Sequence, residues 1–275
     1  MPELPEVETI RRGLAAQVTG RMVTGVVVRR TDLRWPLPRN ILEQRLPGAT
    51  IEEVSRRGKY LLLNLSVGTV ILHLGMSGMV RLLPRDHPLG GHDHMDWLLE
   101  GGLCLRLTDP RRFGAVLWGG LNPLEHPLLA HLGPEPLDEA FDGEVLYARA
   151  VGRHRPVKPW IMDSRVVAGV GNIYAVESLF QARIHPGFPV GRLGRESCQG
   201  LAQAIKDRLQ AAIIQGGTTL RDFRRSDGRP GYFQQSLKMY GRERLPCPAC
   251  QTPITSLRLG GRASPFCLVC QPEFF

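Results

Sequence analysis

Apolar residues along the chain change their spacing twice, and each change predicts a different kind of structure. After Pro5 the apolar residues recur at helical spacing, which predicts a first helix over residues 5–17. Between Met22 and Trp118 they fall into short β-branched or leucine-rich runs separated by glycine and proline, which predicts an antiparallel sandwich or barrel. The clearest runs are Val23–Val28, Tyr60–Leu65, Val70–Leu74 and Ala115–Trp118.

Residues 121–143 are rich in proline, glycine and acidic side chains, and the strand pattern does not continue beyond them. Helical spacing takes its place and predicts four further helices. They are expected over residues 145–151, 160–167, 172–182 and 196–215. The fold class is therefore α+β. We expect domain boundaries that give an amino-terminal domain (1–134), a helical domain (135–239) and a small terminal module (240–275).

The net charge of +9 favours an acidic partner such as nucleic acid or an anionic membrane. The last fifth of the chain, from Arg221, carries nine basic and four acidic residues, although such a run can also be a solvated face. No apolar stretch approaches the ~20 residues of a membrane span, and the acidic start differs from a signal peptide. We therefore expect an intracellular protein.

Four of the six cysteines form two close pairs near the end of the chain, with two residues inside each pair and sixteen between the pairs. This spacing is typical of a tetrahedral zinc site. The four predicted ligands are Cys247, Cys250, Cys267 and Cys270. Four thiolates leave no open position on the metal, so the zinc is expected to be structural and to stabilise a module too small for its own core.

His92 and His94 alternate along a predicted strand and would share one face, which indicates a polar strand face rather than a second metal site without a third ligand. The sequence shows neither a Ser/His/Asp order nor a phosphate-loop fingerprint. The glycines at 169–171 lie between two predicted helices and indicate a tight hairpin, whose backbone amides could hold a phosphate.

Removal of Met1 would expose the secondary amine of Pro2 beside the carboxylate of Glu3. An α-amino group has a pKa near ~8, against ~10.4 for lysine, so more of it is in the neutral form that attacks carbon. Pro2 is therefore a candidate nucleophile. Glu3, Glu6 and Glu8 also lie where acidic side chains complement a helix dipole, so their position alone does not separate capping from catalysis.

Several motifs occur in the order found in formamidopyrimidine-DNA glycosylases, the bacterial enzymes that remove oxidised purines. They are MPELPEVE at 1–8, a predicted strand HLGMSG at 73–78, TDPRRFG at 108–114, GVGNIYA at 169–175, QGGTTLRDF at 215–223, DGRPGYF at 227–233 and the cysteine pairs. The chain resembles this family over nearly its whole length. The resemblance implies an amino-terminal β-sandwich with flanking helices, a helix-two-turns-helix region and a zinc finger.

The resemblance also implies roles for individual residues. The catalytic group comprises Pro2 as nucleophile, Glu3 in acid/base chemistry, and Lys59 and Arg262 beside the lesion's sugar-phosphate. The DNA-binding group comprises Met76, His92, Arg111, Phe113, Lys158, Asn172 and Tyr240. Within that group, Met76, Arg111 and Phe113 would fill the space left by the extruded nucleotide. Without the resemblance, Met76 and Phe113 would be expected in the core.

Other features of the resemblance leave alternatives open. Glu6 matches a supporting carboxylate but could simply cap its helix, and Tyr240 could contact a phosphate or pack. Residues 217–232 match a loop that closes over the extruded base. We expect a monomeric, cytoplasmic enzyme that binds damaged duplex DNA and acts on it. Its rivals are an endonuclease VIII-type enzyme for oxidised pyrimidines, and a non-catalytic zinc protein that binds damaged DNA.

Overall fold

The computed structural model describes residues 2–217 and 236–273. These residues divide into two compact units, 2–131 with 215–217 and 132–214 with 236–273. The cysteine-rich module belongs to the second unit. The predicted boundaries at 134/135 and 239/240 stay predictions. None of the described helices is long and apolar enough to cross a membrane.

Two four-stranded antiparallel sheets and three helices make up the first unit. The helices are α1 (Leu4–Val18), α2 (Arg39–Arg45) and α3 (Pro127–Ala130). The strands are β1 (Val23–Val28), β2 (Ile51–Arg57), β3 (Tyr60–Leu65), β4 (Gly68–His73), β5 (Met79–Pro84), β6 (Asp93–Leu99), β7 (Leu103–Thr108) and β8 (Ala115–Gly120). The strand orders are β1-β6-β7-β5 and β2-β3-β4-β8.

Both sheets contribute to one hydrophobic core, as in a β-sandwich. Leu61 and Leu63 reach it from β3, and Trp97 reaches it from β6. Helix α1 adds a stripe of buried residues at helical spacing, including Ile10 and Leu14. The predicted sandwich is confirmed.

The second unit is helical and ends in a β-hairpin. Its elements are α4 (Gly143–Ala150), α5 (Val157–Ile161), α6 (Asn172–Gln181), α7 (Arg195–Ile214), β9 (Thr255–Leu259) and β10 (Arg262–Phe266). Helix α7 packs against α4 and α6. Val176 and Phe180 of α6 share a small core with Cys247, Ile254 and Cys267 of the cysteine module.

Two predicted elements are wrong. Only His73 of the predicted strand 73–78 belongs to β4, and a turn follows, closed by a hydrogen bond from the Gly78 N–H to the Leu74 carbonyl (2.8 Å). The second error is the helix predicted over 160–167, since α5 ends at Ile161. The side chain of Asp163 accepts a hydrogen bond from the Arg165 N–H (3.1 Å), a local bond that competes with helix continuation.

Candidate active site and nucleic-acid interface

The predicted nucleophile lies at the buried start of α1. Pro2 is buried and Glu3, the N-cap residue, is 3% exposed. Glu6 accepts a hydrogen bond from the Glu3 backbone N–H at 2.8 Å, which makes the pair a capping box. Glu6 therefore caps its helix, and its role as a supporting carboxylate stays a prediction. Met1 lies outside the described residues, so the exposure of the Pro2 nitrogen stays a prediction.

Lys59 lies in the turn between β2 and β3, directly after Gly58, whose φ of +56° is in the left-handed region. The next residue, Tyr60, pairs in register with His73 of β4, and their ring centroids are 5.0 Å apart. Burial, followed by the positive charges of Lys59 and Arg34, lowers the pKa of His73 to about 4. At neutral pH an uncharged imidazole therefore lies near the ammonium of Lys59.

His73 was not singled out from the sequence. Its Nδ1 accepts a hydrogen bond from the Gly75 N–H at 3.1 Å, so it links the end of β4 to the turn that carries Met76. The sequence signal for His73 is its position in the HLGMSG motif, where β4 ends and a turn follows in place of the predicted strand.

Met76, Arg111 and Phe113 lie on two neighbouring loops, the β4–β5 turn and the β7–β8 loop. Met76 is 36% exposed and Phe113 46% exposed, so neither is a core residue. The Arg111 guanidinium carbon lies 5.0 Å from the centroid of the Phe113 ring. Between them, Arg112 has a φ of +56°, an uncommon conformation for a residue other than glycine. The two loops thus present two apolar side chains and one guanidinium at the surface.

Asp109 is fully buried and links these two loops through hydrogen bonds. Its Oδ1 accepts a hydrogen bond from the Ser77 hydroxyl and its Oδ2 accepts one from the Gly114 N–H, both at 2.8 Å. The Ser77 Oγ in turn accepts the Arg111 N–H at 3.2 Å. The loops are also in close contact, since a Cβ on Gly75 would lie 2.4 Å from the Phe113 carbonyl carbon.

His92 and His94 do not share a strand face, which corrects the prediction. His92 is exposed in the turn before β6, whereas His94 is 3% exposed and its Nε2 is 2.8 Å from the Asp109 carbonyl oxygen. Neither histidine belongs to a potential metal cluster within the described ranges.

In the second unit, Asn172 is the first residue of α6 and follows Gly171, an N-cap residue without a side chain. The Asn172 Oδ1 is buried and receives no hydrogen bond from the part of the chain that the structure describes. A helix amino terminus carries partial positive charge, which suits the predicted phosphate contact. The predicted hairpin residues 169–171 are themselves buried.

Lys158 is fully buried, which differs from the surface position expected of a DNA-binding lysine. Its Nζ donates to the Ala263 carbonyl and to the Ser264 Oγ, both at 2.7 Å. This ammonium therefore joins α5 to β10, the strand on which the exposed Arg262 is the first residue. A DNA contact by Lys158 stays a prediction, but its observed contacts support the hairpin.

Tyr240 is partly buried and packs against the core of the cysteine module. Its backbone N–H and those of Lys238 and Met239 all donate to the carboxylate of Glu177, at 2.9–3.0 Å. Glu177 is 1% exposed and lies on α6. No sequence pattern pointed to this carboxylate, because its partners are 61 to 63 residues away.

The Sγ atoms of Cys247, Cys250, Cys267 and Cys270 all lie within 4.8 Å of one another. The Cys247–Cys270 and Cys250–Cys267 separations are 3.9 and 3.4 Å. Zinc–sulfur bonds of ~2.3 Å in a tetrahedron require sulfur atoms about 3.8 Å apart. The four cysteines therefore form a cluster that fits a tetrahedral metal ion.

Comparison with known proteins accounts for this combination of parts. The family model described as "Formamidopyrimidine-DNA glycosylase N-terminal domain" matches residues 1–116. The model described as "Formamidopyrimidine-DNA glycosylase H2TH domain" matches residues 132–224. The chain belongs to the formamidopyrimidine-DNA glycosylase family. The resemblance inferred from the motifs is confirmed.

Curated members of the family match along their whole length. The formamidopyrimidine-DNA glycosylase of Stenotrophomonas maltophilia strain K279a is 56% identical over 271 residues, covering 98% of this chain and all of that protein. The corresponding protein of Nitrosococcus oceani is 54% identical with the same coverage. The likeness therefore includes the cysteine module, which follows the region matched by the two family models.

Solved structures of the family share the fold. The MutM (Fpg) protein of Thermus thermophilus matches with a TM-score of 0.88 and 42% identity, over 99% of this chain and all of that one. A mutant Lactococcus lactis Fpg in complex with Fapy-dG-containing DNA matches with a TM-score of 0.91 and 34% identity, with the same coverage. The chain therefore shares its fold with a relative that was solved in complex with Fapy-dG-containing DNA.

Proposed function

We propose that the protein is a DNA glycosylase and abasic-site lyase that removes oxidised purines, such as 8-oxoguanine and formamidopyrimidines, from duplex DNA. The observation that carries this proposal is the full-length likeness to formamidopyrimidine-DNA glycosylases. The complex of a relative with Fapy-dG-containing DNA supports the choice of substrate. An enzyme also explains the chain better than the non-catalytic zinc protein considered from the sequence, because its relatives are glycosylases throughout their length.

The proposed chemistry begins at Pro2 after loss of Met1. Its neutral nitrogen attacks C1′ of the damaged nucleotide and the bond from C1′ to the base breaks. The base leaves with the proton that the Pro2 nitrogen gives up. Glu3 protonates the sugar oxygen as the ring opens, and the Pro2 nitrogen is left as an iminium. The iminium acidifies the C2′ hydrogen, so that β-elimination and then δ-elimination cut the strand on both sides.

The charged groups near β3 and β4 suit a sugar-phosphate held beside this nitrogen. Lys59 would supply the positive charge for the phosphate next to the lesion. His73 would stay neutral there, because its pKa is lowered to about 4 by burial and by nearby cations, Lys59 among them. Arg262, exposed on the cysteine hairpin, would hold a second phosphate.

Extrusion of the damaged nucleotide leaves a space in the duplex, and we assign Met76, Arg111 and Phe113 to it. Two exposed apolar side chains can wedge between bases, while the guanidinium bonds the unpaired cytosine. His92, Lys158, Asn172 and Tyr240 would contact the backbone, and the base-covering loop expected at 217–232 lies almost wholly outside the described residues. The presence of Met76, Arg111 and Phe113 at separate positions favours oxidised purines over the pyrimidine substrates of the endonuclease VIII-type rival.

We assign zinc to the four-cysteine cluster. The sulfur separations suit its bond length, and a thiolate set without histidine or carboxylate suits a closed structural site. The metal would stabilise the β9–β10 hairpin on which Arg262 lies. The proposed partner is damaged double-stranded DNA, bound by a monomer in the bacterial cytoplasm.

Borohydride trapping tests the nucleophile. Reduction during the reaction should cross-link the protein to an oligonucleotide containing 8-oxoguanine, and Pro2→Gly should weaken the cross-link strongly. Pro127→Gly, which changes an exposed proline at the start of α3, is the matched control and should trap like wild type. Intact mass should show loss of one methionine.

Two results would contradict the proposal. If Pro2→Gly were trapped as efficiently as wild type, with the cross-link at Lys59, the nucleophile would be Lys59 and not Pro2. Faster excision of oxidised pyrimidines than of oxidised purines in a substrate panel would instead favour the endonuclease VIII-type alternative.

A further inference from the structure

A cavity of about 240 Å³ lies in the second unit, where the end of α6, helix α7 and the cysteine module meet. None of its lining residues is assigned to the lesion or to a DNA contact. It is lined chiefly by Glu177, Phe180, Arg183, Arg208, Lys238 and Cys270. Three of these side chains are cationic and one is a carboxylate, so positive charge exceeds negative charge in the lining.

The carboxylates in and beside the cavity are engaged by other groups. Glu177 is 1% exposed, and its two oxygens accept the backbone N–H groups of residues 238–240 at 2.9–3.0 Å. Asp207, the residue before Arg208 in α7, accepts hydrogen bonds from two glutamine side chains at 2.7 and 2.8 Å. The ion pairs seen in the described part of this unit join other residues. The three cations of the cavity therefore have no counterion among the described residues.

The Nε atom of Arg208 is the most direct sign that the cavity suits an anion. It is buried and donates no hydrogen bond to any residue that the structure describes. A buried donor without an acceptor is costly, and the cost is greater when the donor belongs to a charged group. A carboxylate or phosphate oxygen beside this atom would remove that cost.

Arg183 is fixed at the edge of the cavity by the way α6 ends. Its φ is +57°, in the left-handed region that glycine usually occupies after a helix. Its N–H donates to the Phe180 carbonyl at 3.1 Å. The carboxyl end of a helix carries about half a negative charge, which complements one cation but not three.

The cavity also has an apolar side. Phe180 lines it, and the two residues before the lining residue Cys270, Leu268 and Val269, are 59% and 63% exposed. Apolar walls lower the local dielectric constant and strengthen the attraction between the cations and an anion. The lining therefore suits a ligand that combines anionic oxygens with an apolar group.

The position of the cavity separates it from the DNA contacts in our proposed function. Asn172, assigned to a phosphate, is the first residue of α6, and Phe180 is eight positions further along the helix. At 1.5 Å per residue this places Phe180 about 12 Å away, in the last turn. A recess of 240 Å³ admits individual side chains, whereas a duplex is far wider.

We propose that this cavity docks an acidic segment of a partner protein. A carboxylate of the segment binds Arg208 and Lys238, and an apolar side chain packs against Phe180. Charge complementarity favours this occupant, because peptides carry carboxylates and apolar side chains next to each other. The proposal does not depend on the lesion chemistry.

The test measures peptide binding to the full-length, zinc-loaded protein by fluorescence anisotropy. The probe is a fluorescein-labelled peptide of alternating aspartate and leucine, and the control peptide has asparagine at each aspartate. Arg208→Gln is compared with Lys206→Gln, which removes a charge from the same helix but does not line the cavity. Lys238→Gln is a second variant, because the exposed Lys238 holds Glu177 through its backbone alone.

Arg208→Gln and Lys238→Gln should each weaken binding of the aspartate peptide at least about fivefold, whereas Lys206→Gln should bind it like wild type. Arg208→Lys keeps the charge without the forked donors and should give an intermediate affinity. The asparagine peptide should bind more weakly than the aspartate peptide by a similar or larger factor. Borohydride trapping by all four variants should equal that of wild type, which separates this proposal from the proposed function.

Three results would overturn the proposal. The first is equal affinity of the Arg208, Lys238 and Lys206 glutamine variants for the aspartate peptide. The second is displacement of the peptide by an undamaged duplex, which would assign the cavity to DNA. The third is equally tight binding of a peptide with serine at each leucine, which would show a site for simple anions only.

Discussion

Replacement of Asp109 by alanine should release the two loops that carry Met76, Arg111 and Phe113. The carboxylate is fully buried and accepts one hydrogen bond from each loop, from the Ser77 hydroxyl and from the Gly114 N–H. Hydrogen bonds to a charged group contribute about 1.5–3 kcal/mol each, so the two together contribute about 3–6 kcal/mol. A domain is stable by only about 5–15 kcal/mol, so Asp109→Ala should fold but be severely weakened.

Two further variants separate the contributions. Ser77→Ala removes one of the two bonds to Asp109 and also the acceptor of the Arg111 N–H, so it should cost somewhat more than half as much as Asp109→Ala. Asp109→Asn keeps one acceptor for the Gly114 N–H, and its amide can donate to the Ser77 Oγ. Of the three variants it should therefore destabilise the two loops least. Urea unfolding measures all three, with the slope of each transition checked for two-state behaviour.

A functional assay then distinguishes loop positioning from general stability. The adenine analogue 2-aminopurine, placed opposite the lesion's neighbour, fluoresces when protein side chains unstack it. At a temperature where all variants are folded, Asp109→Ala should give a smaller fluorescence rise than Asp109→Asn. An Asp109→Ala protein within about 0.5 kcal/mol of wild type, a range typical of surface changes, would refute this account of the loops.

Two other perturbations have definite expected results. Chelation of the metal should make four thiols reactive and unfold the β9–β10 hairpin, as followed by thiol titration and circular dichroism, and zinc but not magnesium should restore both; a hairpin that survives chelation would contradict a structural role. Burial raises the pKa of Glu8, but hydrogen bonds from Arg11 and Arg12 and the charges of Arg11 and Arg56 outweigh it and lower the pKa to about 2. The pKa of Glu8 in the folded protein is below the ordinary 4.5. Ionised Glu8 therefore stabilises the folded state by about 3 kcal/mol, and this contribution is complete above pH 4.5 and lost as the pH falls towards 2. The stability difference between wild type and Glu8→Gln should therefore shrink over that range in urea unfolding, and a difference independent of pH would contradict it.

Periodicity predicted the elements whose packing follows directly from local sequence. Strands β1 and β3 begin and end where their apolar runs do, and α6 and α7 match their predictions within one residue. The failures occur where one side chain or one close contact overrides the pattern. Asp163 stops a helix that spacing alone would continue, and the turn after β4 requires Gly75 at a φ of +60° against the backbone of Phe113.

The candidate site was predictable where the chemistry is contained in spacing. The cysteine pairs indicated a metal cluster from the sequence alone, and the cluster is confirmed. Asp109 and Glu177 were missed because the groups they bind come from distant segments, such as Ser77, 32 residues before Asp109. Burial of a charge depends on such long-range neighbours, which a pattern of residue types does not contain.

These buried charges explain how exposed residues on loops can hold a fixed geometry. Asp109 binds the loops of the three residues assigned to the extruded nucleotide's space, Glu177 binds the backbone at Tyr240, and Lys158 binds the strand that begins at Arg262. In each case an ion that is at most 1% exposed has its polar atoms bound to the backbone or to a serine hydroxyl. An unpaired buried ion is costly, so the loop conformation that binds it is favoured over its alternatives. The residues assigned to DNA contact on these loops and on the hairpin, among them Arg111, Tyr240 and Arg262, are thus positioned by buried charged side chains.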